Sequence, residues 1–387
     1  MATSIAPQKL AGIRADLNLQ VLDQSEAIDL CLTAVVMNDH VALVGPQGEG
    51  KTFLAERLAH YIPGDLFYHL LSRFSAPDEV LGHHSLAKLQ QDIYERRTVG
   101  RAPEAELVVL DEVFKANSPM LNSLLGMMNE RVVDGIPCKL RTLVGLSNEW
   151  PRSIDSLDRS GDDESLLPLW DRFVLRLEIQ QPQADSTFKA IIRNSLPGPS
   201  APVLSAADLT ELEDKCVKLH ENISDGIINA LLDIRSRLVI NGVHVSSRRW
   251  YKASKALAGY AVVCGDDAIK FAHLKVLRHV LWGTPEQREA VADAVMQSGA
   301  PETAVALNIE AEIEDTLATF SNLPRSSADR PNVMHDLIKT VNANIKELER
   351  LDRDPKTVDH DEVRRVIARL KEVRAEMMAE MHAALSL

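Results

Sequence analysis

Eight consecutive residues constrain this chain more than any other stretch. Gly45-Pro46-Gln47-Gly48-Glu49-Gly50-Lys51-Thr52 fits the pattern GxxxxGK[ST] without a mismatch. The apolar run Val41-Ala42-Leu43-Val44 leads into Gly45, as a buried strand should. Thr52 to Tyr61 follows with helical spacing and stops near Pro63-Gly64. Strand, glycine-rich turn and helix form the setting in which such a loop cradles phosphate. Glycines let backbone N–H groups turn inward on phosphate oxygens, and the helix N-terminus adds a favourable dipole. Lys51 can reach β- and γ-phosphates, and the Thr52 hydroxyl can ligate Mg²⁺.

Two further apolar runs end in polar tips. Leu107-Val108-Val109-Leu110 is followed by Asp111-Glu112, and Leu143 to Leu146 by Ser147-Asn148. Strands alternating with helical stretches imply an α/β fold with a parallel sheet covered on both faces. An acid at the carboxyl end of such a strand lies beside the phosphate loop, so Asp111 can hold Mg²⁺ and Glu112 can polarise the attacking water. Two acids there would also suit a helix start; the loop upstream favours the chemical role. A consecutive Asp-Glu favours hydrolysis of ATP by water over transfer to a metabolite, and no NKxD tetrapeptide points to GTP. Asn148 can orient the water, although Asn after a strand also suits a turn. Leu169-Trp170-Asp171-Arg172-Phe173 places Arg172 before the strand-like Val174 to Leu177, and Ser246-Ser247-Arg248-Arg249-Trp250 opens a helix. A lone arginine is commonly a surface residue. For Arg172 the plain alternative is an ion pair with Asp171 or Glu178.

The remaining sequence sets the organisation. At 387 residues the chain is long enough for roughly two to three domains. Its net charge of −13 opposes a phosphate backbone, so binding nucleic acid would require a local basic patch. No apolar run approaches the ~18 to 20 residues of a membrane span, and the N-terminus lacks an apolar signal core. Cys31, Cys138, Cys216 and Cys264 lie far apart with no CxxC, so reduced thiols and a cytoplasmic location are expected. Adjacent His83 and His84 suit a solvated loop better than a metal pair. Residues 18–38 have the spacing of one helix, 153–166 of a polar loop, and 180–204 of a linker. The pattern is helical from 206 to 300, including KFAHLKVLRHVLW, and 321–332 is a second linker. Beyond it, Met334, Leu337, Val341 and Leu348, then Val363, Val366, Leu370 and Val373, predict an antiparallel helical hairpin. Packing of that hairpin on its own chain is favoured over a free coiled-coil docking surface.

The whole order resembles that of AAA+ ATPases: phosphate loop, Asp-Glu strand, Asn-tipped strand, arginine before a strand, helical lid with an SxRR. Local wording resembles the MoxR family, and within it the RavA-like branch, in SRFSAPDEVLG (72–82), YERRTVGRAPEAELVVLDEVFKA (94–116), LNSLLGMMNER (121–131), LWDRF (169–173), VSSRRW (245–250) and LKVLRHVLW (274–282). The resemblance spans about residues 10–320. It implies an AAA+ core over 1–180, an all-α lid with following helices over 181–320, and a C-terminal helical hairpin over 321–387. It further implies that Gly45 to Thr52 with Asp111 bind ATP and Mg²⁺, that Thr52 and Asp111 ligate the metal, and that Glu112 serves the water. Asn148 matches sensor 1, Arg172 an arginine finger reaching a neighbouring subunit, and Arg248 sensor 2, in cis or in trans. Residues near 83–101 correspond to the family's helix-2 insert, and Val132 to Ile136 to its pre-sensor-1 hairpin, both facing a ring pore. The implied function is Mg-ATP hydrolysis in a homo-oligomeric ring, expected as a hexamer, that remodels a protein client with a von Willebrand factor A (VWA) domain partner. The alternatives are a DNA-acting motor and a nucleotide-gated scaffold with little turnover. The β-rich insert of RavA-type tails has no counterpart, so a partner that depends on it is not implied.

Overall fold

A parallel sheet must bury both faces, and the strands of this chain are apolar enough to do so. In the computed structural model, β1 (Val41–Val44), β3 (Leu107–Asp111), β6 (Thr142–Ser147) and β7 (Leu175–Glu178) are buried along almost their whole length. β2 (Leu66–Leu70) alternates between exposed and covered positions, as an edge strand does. The five run parallel in the order β2-β3-β6-β1-β7. A separate antiparallel pair, β4 (Val132–Val133) and β5 (Ile136–Pro137), is closed by Asp134 and Gly135, both at positive φ (49° and 81°). That is the type I′ geometry an Asp-Gly turn favours. The structure describes residues 5–151, 166–182, 185–193, 196–299, 301–321, 330–354 and 360–385. The expected loop at 153–166 lies almost wholly outside them, as does most of the linker at 321–332.

The helices are α1 (Ile5–Gln20), α2 (Ser25–Val36), α3 (Lys51–Ala59), α4 (Pro77–Leu81), α5 (Leu86–Leu89), α6 (Ser118–Asn129), α7 (Leu166–Arg172), α8 (Asp185–Ile192), α9 (Ala206–Glu221), α10 (Asp225–Ile240), α11 (Ser247–Val263), α12 (Gln287–Gly299), α13 (Pro301–Ser321), α14 (Arg330–Arg353) and α15 (His360–Leu385). The described residues group into two units. The first holds 1–225, 243–269 and 276–288; the second holds 226–242, 270–275 and 289–387. In the first, α11 lies so close to α2 that a Cβ on Gly259 would meet Met37 and Thr33 side-chain carbons at 3.3 Å.

Three sequence expectations need correction. The helix expected over 18–38 is broken: α1 ends at Gln20, Asp23 takes a left-handed φ of 56°, and α2 starts at Ser25. The stretch 180–204 is not free of structure. It contains α8, and its later part is fastened to α1, because Asp16 accepts hydrogen bonds from the Ser200 and Ala201 amides (2.6 and 2.7 Å) and the Tyr61 hydroxyl (2.5 Å). The stretch 206–300 is not helical throughout: 241–246 and 281–286 carry no helix, and Phe271–His279 is helical in the 3₁₀ form.

In the second unit, α14 and α15 pair antiparallel: Asp352 meets Arg364, Glu349 meets Lys371, and Asn342 meets Arg374. Val363, Val366, Leu370, Val373 and Met377 repeat at intervals of three and four, as a packed helix seam requires. They close over Met334, Leu337, Val341 and Leu348 of α14 and over Ala306, Ile313 and Phe320 of α13. The hairpin therefore packs on its own chain, with α13 as third helix. No helix among the described residues is long and apolar enough to cross a membrane.

Candidate functional site

The sheet order explains the site. β6 lies between β1 and β3, so the tip of the Asn-bearing strand stands between the phosphate loop and the acids. Ligands of open α/β sheets bind at such carboxyl ends. Gly48 and Gly50 hold positive φ (90° and 77°) with nothing within 4 Å of a would-be Cβ, so the loop leaves room for an incoming group. Lys51 opens α3 and is buried. Its Nζ donates to the carbonyls of Gly45 and Pro46 (both 2.7 Å) and to Asn148 Oδ1 (3.0 Å). Burial lowers its pKa, opposed by Asp111, Glu112 and Glu49.

Glu112 sits at φ 55°, a left-handed conformation that a non-glycine residue adopts at a cost of roughly 1–2 kcal/mol. The turn aims the carboxylate back over the sheet, where Asn148 Nδ2 donates to Oε1 at 2.5 Å. Lys115 Nζ lies 3.2 Å from the same oxygen. Oε2 is buried and has no hydrogen-bond partner among the described residues. Thr52 Oγ1 donates to Asp111 Oδ2 at 3.4 Å, and the Glu112 amide to Asp111 Oδ1 at 2.9 Å. A hydroxyl and a carboxylate on adjoining elements are the oxygen donors Mg²⁺ takes beside phosphates. The residues present therefore fit nucleotide and metal. Together they line a cleft of about 1050 Å³, ample for a nucleoside triphosphate. Sequence reasoning missed Tyr68, which also lines the cleft. Its hydroxyl donates to Asp111 Oδ2 at 3.1 Å, and burial and Asp111 push its pKa up to about 12.

Arg172 and Arg248 do not line this cleft. They share a second cavity of about 250 Å³ with Asp39, Asn129, Arg249 and Lys252. That volume is below the ~300 Å³ at which ligand pockets begin. Arg248 Nη2 donates to Asn129 Oδ1 at 2.9 Å. Arg172 Nη1 donates to the Pro168 carbonyl at 3.0 Å, and its buried Nε has no partner among the described residues. Burial and then Arg248 lower the Arg172 pKa. The ion pairs weighed for Arg172 are not formed: Glu178 pairs with Arg288, and Asp171 faces Arg249 at 3.7 Å. His83 and His84 approach Asp78 (3.4 Å) and Asp134 (3.8 Å), and no metal-holding group of three or more His, Cys, Asp or Glu occurs among the described residues.

Comparison with known proteins decides the family. Residues 8–208 match the profile of the MoxR domain in the MoxR-vWA-beta-propeller ternary systems. This chain is a MoxR-family AAA+ protein. Residues 226–295 match an AAA lid domain, so the α/β AAA+ fold carries its helical lid. Two uncharacterized proteins of Methanocaldococcus jannaschii are similar. One is 32% identical over 71% of this chain and 70% of its own length; the other is 31% identical over 72% of each. A crystal structure of a "putative ATPase" from Cytophaga hutchinsonii shares the fold, with a TM-score of 0.58 and 15% identity, covering 76% of this chain and 95% of that one.

Proposed function

We propose that this MoxR-family protein hydrolyses ATP in a homo-oligomeric ring, a hexamer, and uses the cycle to remodel a protein client in the cytoplasm. One observation carries the catalytic part: Lys51, Asn148 and Glu112 form one hydrogen-bonded chain across the ends of β1, β6 and β3. The phosphate loop from Gly45 through Pro46, Gln47, Gly48, Glu49 and Gly50 presents amides to the phosphates. Lys51 leaves its loop carbonyls for the β- and γ-phosphate oxygens. Thr52 and Asp111 would hold Mg²⁺, which would supply charge neutralisation at the phosphates. Glu112, oriented by Asn148, takes a proton from water as the water oxygen bonds to the γ-phosphorus. The bond from that phosphorus to the β,γ-bridging oxygen breaks, and ADP keeps the electron pair.

Arg172 and Arg248 stand apart from their own cleft, which favours action in trans on a neighbour's γ-phosphate. We read 1–180 as the catalytic core, 181–320 as lid and following helices, and 321–387 as the hairpin. A VWA-domain partner is supported by the systems for which the matching family is described. The RavA-like placement rests on the matching stretches at 72–82, 121–131 and 245–250.

Steady-state ATPase, alone and with a VWA-domain protein or DNA, tests the reading together with sedimentation in a slowly hydrolysed ATP analogue. Mg-dependent turnover and nucleotide-linked assembly are expected. A monomer in every nucleotide condition refutes the ring. ATP binding without turnover favours the scaffold, and stimulation by DNA alone favours the motor.

A further inference from the structure

Helix α7 ends inside the first unit at Arg172, and the last carbonyls of a helix have no partner within it. Two buried guanidinium groups serve that corner. Arg176 donates from Nε to the Phe173 carbonyl (3.0 Å), from Nη2 to Trp170 (2.8 Å) and from Nη1 to Trp282 (2.5 Å), and its plane lies over the Trp170 ring at 4.0 Å. Arg249 donates from Nη1 to the carbonyls of Asp171 (3.3 Å) and Phe173 (3.2 Å), from Nη2 to Val174 (3.0 Å) and from Nε to Val280 (2.5 Å). Among the described residues, the nearest carboxylate to either is Asp171, 3.7 Å from Arg249. Burying a charge costs several kcal/mol, and one long ion pair from Arg249 to Asp171 does not offset it for both, so further partners must hold these two. The carbonyl-rich, negative end of α7 supplies them. Burial lowers the Arg249 pKa to about 10, which leaves it charged at neutral pH. The same corner is packed without slack: a Cβ on Gly145 would come within 2.5 Å of the Phe173 ring.

Arg249 follows Arg248 in the first turn of α11, and the carbonyls it holds flank Arg172. One side chain thus fixes both arginine-bearing backbones. We propose that Arg249, seconded by Arg176, is a positioning residue that sets the spacing of Arg172 and Arg248 so that both meet one phosphoryl group. This rests on the reading that those two arginines serve a neighbouring subunit's nucleotide.

The test uses the full chain with Arg249→Lys and Arg176→Lys, which keep a basic side chain but lose the planar fork. Arg249→Lys is expected to lower kcat about tenfold or more with KM for ATP within about twofold, the pattern of an interaction made only in the transition state. Its defect is on the arginine side of an interface. Mixing with Glu112→Gln subunits therefore restores turnover, and mixing with Arg172→Ala subunits does not. Amide exchange accelerates in 166–175 and 246–252 and is unchanged in 41–60. Arg176→Lys shows the same pattern, smaller. Unchanged kcat, a parallel rise in KM, rescue by Arg172→Ala subunits, or exchange that quickens equally in 41–60 overturns the proposal. A wild-type chain without turnover defeats the ATPase reading alone. The exchange pattern then decides: acceleration confined to the two segments supports the spacer, and its absence overturns it.

Discussion

The phosphate-loop cleft and the arginine cavity are built on opposite principles. In the cleft the cation already has partners: Lys51 is held by two loop carbonyls and Asn148, with two acids close by. In the cavity cations are in excess, since Arg172, Arg248, Arg249 and Lys252 face only Asp39 and Asp171. Lys252 pairs with Asp39, and Arg249 spends its donors on carbonyls. That leaves Arg172 and Arg248 without a carboxylate partner among the described residues. The cleft thus has the room and the donors a nucleotide needs, while the cavity is rich in cations but, at about 250 Å³, too small for one. If the two regions are halves of one site, a single chain carries both without joining them, which is the arrangement a ring of identical subunits would use.

The largest effect tests whether the cavity serves another subunit. Arg172→Ala should cost about 10³ in kcat if Arg172 acts as an arginine finger. It should leave ATP binding in its own cleft intact. Mixed with Glu112→Gln subunits, it forms some interfaces that pair an intact Glu112 with an intact Arg172. Recovered turnover in co-assembled, exchanging subunits is expected; its absence would mean that Arg172 does not act across the interface. Next comes the cleft itself. Glu112→Gln removes the base while Lys51, Thr52 and Asp111 remain, so kcat should fall by about 10² or more with ATP still bound. Wild-type turnover in that variant would exclude Glu112 from the chemistry.

These contrasts were unequally visible in the sequence. The cleft was legible because its residues sit in contiguous motifs whose local geometry implies their role. GxxxxGK[ST] announces its own turn, and an acid after a buried strand announces its edge. β2 went unread because Leu66–Leu70 is a short edge strand, covered on one side only. α1 does carry a local signal: Ala6, Leu10, Ile13 and Leu17 recur at helical intervals and are all buried. No local motif marks Arg176 or Arg249 as buried. Nothing in SRRW says that Arg249 will be buried against carbonyls more than seventy residues away, and nothing in LRLE says that Arg176 will reach the Trp282 carbonyl. Tyr68 was hidden for the same reason, since its partner Asp111 belongs to the neighbouring strand.

A smaller effect separates binding from turnover. ATP at about a thousand times its Kd should stabilise the wild type by about 4 kcal/mol. Lys51→Ala should lose most of that protection, read as the missing rise in Tm on adding Mg-ATP. Arg172→Ala should keep it. Equal loss in both variants would mean that the cavity contributes to binding within one chain, which would erase the distinction between the two regions.

The smallest effect concerns the wall of the arginine cavity. His40 is fully buried, accepting from the Leu143 amide at 3.0 Å and facing the Met128 carbonyl at 3.1 Å, so both ring nitrogens are committed in the neutral form. Burial first, then Arg131, lowers its pKa to about 4. Asp39 opposes that shift, and Lys252 adds to it. The unfolded chain has an ordinary histidine near 6.5. As pH falls, the unfolded state therefore takes up the proton first. Stability from this group is fully present above about pH 6.5 and is lost between there and about 4. Between pH 7 and pH 5 the loss is about 2 kcal/mol by linkage. Thermal unfolding of the wild type against pH should show this slope. His40→Gln should start lower at pH 7, because the two backbone partners lose their ring, and should then change less on acidification. A variant whose Tm falls as steeply as the wild type from pH 7 to pH 5 would place the titrating group elsewhere. The cavity wall would then be no more sensitive to acid than the cleft.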